Sequence, residues 1–196
     1  VFPLKIFNNH RTWTSKPKLE FFVNFEIGEQ NNLTSISCGH EYNGEFKIEF
    51  FTDRNSNEET KIIYDWINHM DNVKNDILGW PNAMANVIHW SPKFMTYLTS
   101  IRNSFSRPTG LYLHNLPWLD LLEIMKKGTI AVKGTGLILY SASSRLEFNR
   151  GWHNNTLKKL ATALYTHGLI TKDYVKEPST SEFMWELINY LRSNHT

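Results

Sequence analysis

The residues best able to do chemistry in the first quarter of the chain are Cys38-Gly39-His40-Glu41. A structural zinc site needs four such ligands converging, commonly two pairs at fixed spacing, and no second Cys/His pair follows. The cluster therefore reads as a strand end beside a turn. A nucleophilic centre would need Cys38, one of the eight histidines as base and an acid to orient it, and spacing alone does not bring those together. Glu41, Glu45 and Glu49 with Lys47 have the types of a carboxylate–lysine nuclease. Yet Glu45, Lys47 and Glu49 alternate with Phe46, Ile48 and Phe50, which is the pattern of a solvated sheet face. No G-x-S-x-G, H-E-x-x-H or Walker signature occurs.

Further along, Lys126-Lys127-Gly128 and Gly134-Thr135-Gly136 raise the question of a phosphate loop. Such a loop needs glycines leading into a helix N-terminus, where free N–H groups point at the anion. Here the order is reversed. The lysines fall in the last turn of a helix, Gly128 ends it, and Gly134-Thr135-Gly136 leads into the strand-like Leu137-Ile138-Leu139-Tyr140. The segment is a hairpin.

Lys126, Lys127, Lys133, Arg145, Arg150, Lys158 and Lys159 fall within 34 residues, with only Glu147 against them. That block suits nucleic acid if Trp152 or Tyr140 is exposed for stacking, or an anionic membrane, or it is a solvated basic face. In Ser104–Trp118, Phe105, Leu111, Tyr112 and Leu113 lie in a segment broken by Pro108 and Gly110. They form either an apolar contact loop or a buried strand at Leu111–Leu113.

The 196 residues carry 41% hydrophobic side chains and a net charge of +2, enough for a packed core and unlike a disordered chain. From Glu41 to Asp76 nine acidic residues face four basic ones; from Ile77 to Lys172 eleven basic face three acidic, with no acidic residue between Ile77 and Leu119. The single Cys38 excludes an internal disulfide and favours a reducing compartment. Sequons begin at Asn32, Asn154 and Asn194 without a recognisable signal peptide, and no apolar run approaches the roughly 18 residues of a membrane span.

The elements that must position these residues follow from periodicity. Residues 1–17 read as an N-terminal arm and 18–196 as one domain. Leu19, Phe21, Val23, Phe25 and Ile27 alternate as a strand, and two more strands turn at Asn43-Gly44, giving an antiparallel meander. Ile62, Trp66, Met70, Val73 and Ile77 form a helical stripe opened at Asn55 or Ser56 and stopped by Gly79-Trp80-Pro81. Ser91-Pro92 opens a helix through Phe94, Leu98 and Ile101, and Asn115 or Leu116 opens another through Trp118, Leu122 and Met125. Asn154 or Asn155 caps a helix ending at Gly168, Leu169-Ile170 is a short strand, and a capping box from Ser179 to Glu182 opens the last helix. The class is α+β: an antiparallel sheet packed against helices, a small second sheet, and C-terminal helices.

Lys127-Gly128-Thr129-Ile130, Ala163-Leu164 before Gly168-Leu169-Ile170, the closing Trp185, Leu187 and Ile188, and Ile67–Pro81 with its Gly79 and Pro81 together resemble the matrix proteins of rhabdoviruses, especially the vesiculovirus branch. The resemblance covers about 100 of the 196 residues. It implies a non-enzymatic structural protein without cofactor that lies beneath the viral envelope and at the inner face of host membranes, as well as in host cytoplasm. Its implied partners are itself in an open assembly, the viral nucleocapsid, an anionic membrane surface and RNA. The implied self-association segment holds Phe105, Leu111, Tyr112 and Leu113; the basic block above would meet membrane or phosphate. PPxY and PTAP are both absent, and strand material between Leu33 and Thr52 is additional to the family pattern. The alternative from the residues alone is a cytosolic nucleic-acid-binding protein with metal-dependent nuclease activity at Glu41–Glu49.

Overall fold

A computed structural model describes residues 5–6, 13–52, 58–90, 93–131, 138–139, 160–161, 164–165, 168, 170–174, 176 and 179–193. The fold is α+β. The chain falls into two compact units, Pro17–Asp120 and a second that combines Val1–Lys16 with Leu121–Thr196. Part of the segment read as an arm is thus in a sheet: β1 (Lys5–Ile6) pairs antiparallel with β7 (Gly128–Ala131).

In the unit 17–120, β2 (Glu20–Ile27), β3 (Leu33–Tyr42) and β4 (Glu45–Thr52) form the expected antiparallel meander. Asn43 and Gly44 both take positive φ, 52° and 83°, the geometry of a two-residue turn whose twist matches its flanking strands. α1 (Glu59–Leu78) follows, and Gly79 ends it in the left-handed region at φ 76°, donating its N–H to the Asn75 carbonyl. The apolar stripe of α1 packs on the sheet: Phe21, Val23, Ile36 and Cys38 meet Ile62, Ile63, Trp66 and Met70 in one buried core. α2 (Lys93–Ile101) adds Phe94, Tyr97 and Leu98 to it.

Three expectations change here. The sheet is mixed, not antiparallel throughout: β5 (Asn86–His89) runs parallel to β2, and β6 (Trp118–Asp120) parallel to β5, giving the order β4-β3-β2-β5-β6. The Leu111–Leu113 stretch is neither loop nor strand but lies in α3 (Arg107–Asn115), with Pro108 at its tolerated first turn. Asn115 ends that helix instead of opening one. Trp118 is in a strand, fixed by its indole N–H donating to the Leu113 carbonyl at 2.8 Å and by the Pro117 carbonyl accepting from Val87 N–H.

In the other unit, α4 (Leu121–Lys127) ends where Lys126, Lys127 and Gly128 were expected to end a helix, and β7 pairs antiparallel with β8 (Ile138–Leu139) as a hairpin requires. Gly134-Thr135-Gly136 itself lies outside the described residues. Residues 160–161 and 164–165 are helical, Gly168 takes φ 70°, and Ile170 is in a bend; Leu169 lies outside the described residues. α5 (Thr180–Ser193) buries Phe183, Met184, Leu187, Ile188 and Leu191. Glu182 N–H donates to Ser179 Oγ at 3.4 Å, one half of the expected capping box. Glu186 accepts from the Thr171 N–H and hydroxyl and from the Tyr174 hydroxyl, and Arg192 Nε donates to the Trp13 carbonyl at 2.7 Å.

Candidate functional site

Strand alternation puts Ile36, Cys38 and His40 of β3 on one face, opposite Phe51, Glu49 and Lys47 of β4. Against this face α1 lays Trp66, His69 and Met70. The His40 and His69 rings are 6.3 Å apart, with Phe21 6.2 Å from His40 and Phe51 5.3 Å from His69. His40 Nδ1 and His69 Nε2 are buried and have no hydrogen-bond partner. Burial, then the neighbouring His69 and Lys47 charges, hold His40 down to about 4. Burial also lowers His69, and Glu49 pulls it partly back. The Cys38 thiol is pushed up to about 12 by burial, the Trp66 indole offsetting a little.

These directions decide the chemistry. At neutral pH both imidazoles are uncharged and the thiol keeps its proton, whereas nucleophilic cysteine chemistry needs the thiolate. Glu41 occupies the opposite face of the sheet from Glu45, Lys47 and Glu49, so the four do not form one carboxylate–lysine set. Among the described residues no three His, Cys, Asp or Glu side chains are placed to hold a metal ion.

A second polar group sits at the α1–α3 contact. Lys74 is only 4% exposed and its Nζ reaches Asp71 Oδ1 at 3.0 Å and the Tyr112 hydroxyl at 3.0 Å. Tyr112 in turn donates to Asp71 Oδ1 at 3.0 Å, and burial followed by Asp71 raises the phenol well above its usual range. The three close a ring of hydrogen bonds, the condition under which a buried ammonium is tolerated. At the start of α1, Glu59 Oε1 accepts from Leu33 N–H at 2.9 Å and Oε2 from the Tyr97 hydroxyl at 2.7 Å.

The residues expected to self-associate are divided by this arrangement. Phe105 is half-buried with its ring edge-on to Tyr64, Tyr112 is tied to Lys74 and Asp71, and Leu113 is in the core. Leu111 alone of the four is a surface side chain, at 51% exposure. Of the basic block, Lys126 and Lys127 close α4, while Lys133, Arg145, Arg150, Lys158 and Lys159 lie outside the described residues.

The sequence reading missed five residues, three at the surface and two beneath it. Phe50 on β4 is 64% exposed, and Trp80 and Met84, in the turn after α1, are 62% and 72% exposed. Trp80 had been read only as part of a helix stop. His69 carries no signal, because its partner is 29 residues away in sequence. Lys74 does carry one: it stands four residues after Met70 and eight after Trp66, a charge on the apolar stripe.

The chain matches no family model, no curated protein and no solved structure.

Proposed function

We propose that this chain is a matrix-like assembly protein: a structural protein that self-associates, binds an anionic membrane surface and bridges a nucleocapsid beneath a viral envelope. The observation that carries this reading is the Trp80–Met84 turn. Two large apolar side chains stand in water there, within the stretch Ile77–Leu119 that has no acidic residue and whose Lys93, Arg102 and Arg107 are all exposed. Exposed aromatic and thioether side chains in a stretch that also exposes cations and carries no acid have the chemistry of a peripheral contact with anionic lipid: rings and stems enter the interface while charges meet headgroups. Among the described residues no helix is long and apolar enough to cross a membrane. The motif order described for residues 67–81 and 127–188 supports the same reading, as does the basic block from Lys126 to Lys159.

Flotation with phosphatidylserine-containing and with purely phosphatidylcholine vesicles tests it. Binding should require the anionic lipid and fall as salt rises. The double variant Trp80→Ala/Met84→Ala should float several-fold less, because each removed side chain takes apolar area out of the interface. Replacing Lys126, Lys127, Lys158 and Lys159 with Glu should weaken the same binding with the fold intact. Equal flotation on both vesicle types, or none on either, would rule the membrane role out.

A further inference from the structure

β4 is the outermost strand of its sheet, and among the described residues nothing pairs with its outer side. Its backbone polarity can be worked out from the turn. Tyr42 and Glu45 flank the two-residue Asn43-Gly44 turn and are Cα partners, so they form the closely hydrogen-bonded pair that closes such a hairpin. Counting by twos, Lys47 opposite His40 and Glu49 opposite Cys38 also turn their N–H and C=O groups toward β3. Phe46, Ile48 and Phe50 therefore turn theirs away from β3, toward the outer side of the strand. The side chains alternate in step: Lys47 and Glu49 on the α1 side, Phe46, Ile48 and the exposed Phe50 on the other.

We propose that this edge is a two-fold pairing site for a second copy of the chain, the two β4 strands running antiparallel with Ile48 on the axis. The proposal rests on the self-association in the assembly reading above and gives it a place. With Ile48 opposite Ile48 of the second copy, every outward backbone group of Phe46, Ile48 and Phe50 meets its complement. Lys47 then faces Glu49 of the other copy, twice, and Phe46 faces Phe50, twice. The charged pairs fall at the positions without hydrogen bonds, where side chains approach most closely, and both are opposite in sign. The exposed Phe50 ring gains an aromatic cross-strand neighbour.

Competing registers are worse for stated reasons. An axis on Lys47 or Glu49 leaves the outward backbone groups paired but sets like charges against each other, Lys47 on Lys47 and Glu45 on Glu49 in one case and Glu49 on Glu49 in the other. An axis on Phe46 keeps Glu45 opposite Lys47 but runs into the Asn43-Gly44 turn after a few residues. An axis on Phe50 leaves Glu49 opposite Phe51. Charged side chains on an edge strand ordinarily discourage pairing; here their spacing makes them complementary to themselves.

Sedimentation velocity over a concentration series, with charge-exchanged variants of the full chain, tests this. Wild type should show a concentration-dependent dimer step. Lys47→Glu places Glu opposite Glu49, and Glu49→Lys places Lys opposite Lys47, so each variant alone should lose the step by tenfold or more in dissociation constant. Their equimolar mixture should regain it, since both cross-strand pairs again have opposite signs, and this recovery also shows that neither variant is misfolded. Oxidised Ile48→Cys should form a symmetric intermolecular disulfide, because directly opposite residues have Cα atoms about 5.5 Å apart. If wild type associates and both variants associate equally well, the assembly reading stands and the β4 edge is not the contact. Loss in both variants without recovery on mixing overturns the Ile48 register. A wild type that stays monomeric at every concentration overturns both.

Discussion

Polar groups on α1 and on the sheet face it covers have been handled in two opposite ways. At Glu59 both carboxylate oxygens are bonded, to the Leu33 N–H and the Tyr97 hydroxyl, and the Lys74 ammonium is held by Asp71 and the Tyr112 hydroxyl. At His40 and His69, a ring nitrogen of each is sealed away with none. The difference is charge. An ion in the core must be bonded or it does not stay, whereas an imidazole can remain neutral and leave one nitrogen idle at modest cost. The satisfied groups therefore hold elements together, and the unsatisfied ones store a sensitivity to protons.

The largest effect should come from breaking the satisfied side. Glu59→Ala strands the Leu33 N–H and the Tyr97 hydroxyl, and should lower unfolding stability by about 3 kcal/mol in urea titration. Lys74→Ala should cost about 2 kcal/mol, less than for a fully enclosed pair because Asp71 retains 35% side-chain exposure. Lys74→Met keeps the volume and the Tyr112–Asp71 hydrogen bond, and should cost under about 1 kcal/mol. A Lys74→Met variant as unstable as Lys74→Ala would mean the charge itself, not filling the site, is what the α1–α3 contact needs.

The unsatisfied side is sharpened by acid. His40 titrates near 4 when folded and near 6.5 when unfolded, so between those values the unfolded chain binds more protons. The stability from keeping it neutral is complete above pH 6.5 and lost as pH falls toward 4; His69 is shifted in the same direction. His40→Leu should match wild type within about 1 kcal/mol at pH 7, since it removes an unpaired nitrogen without stranding a partner. It should also lose less stability than wild type on going from pH 7 to 4.5; parallel pH profiles would show that His40 is not the sensitive group. The smallest effect belongs to the exposed Lys61–Asp65 pair, 2.7 Å apart on successive turns of α1, where Lys61→Ala should cost about 0.3–0.5 kcal/mol.

How much of this could be read from residues alone depends on how local each cause is. β2, the Asn43-Gly44 turn, the α1 stripe with its Gly79 stop and the Ser179 cap are each set within a few positions, and their periodicity or turn chemistry announces them. β5 and β6 are short and have no period; their strand geometry comes from pairing with β2 and with each other. α3 holds Pro108 and Gly110, which look like breakers, yet Pro108 is harmless in the first turn and Leu113 and Tyr112 anchor the helix through partners far away in sequence. The site residues follow the same rule. Lys74 was visible as a charge on an apolar stripe, while the pairing of His40 with His69 depends on which face of α1 meets which face of β3. Only a register across distant segments determines that.

The contrast between the Asn43-Gly44 hairpin and the two parallel strands has a consequence in time. β3 and β4 are joined by a two-residue turn and close through neighbouring contacts, on the microsecond scale expected of a hairpin. β5 reaches β2 only after α1 has been traversed, and β6 reaches β5 only after α2 and α3, so their contacts carry a larger loop-closure penalty and a slower approach. For that interval the outer side of β2 that β5 will occupy stands open while β4 already presents its free edge. A nascent chain therefore exposes the eight-residue edge of β2, where the finished sheet ends on the three-residue β6, and dilution during refolding should raise the yield of correctly folded protein.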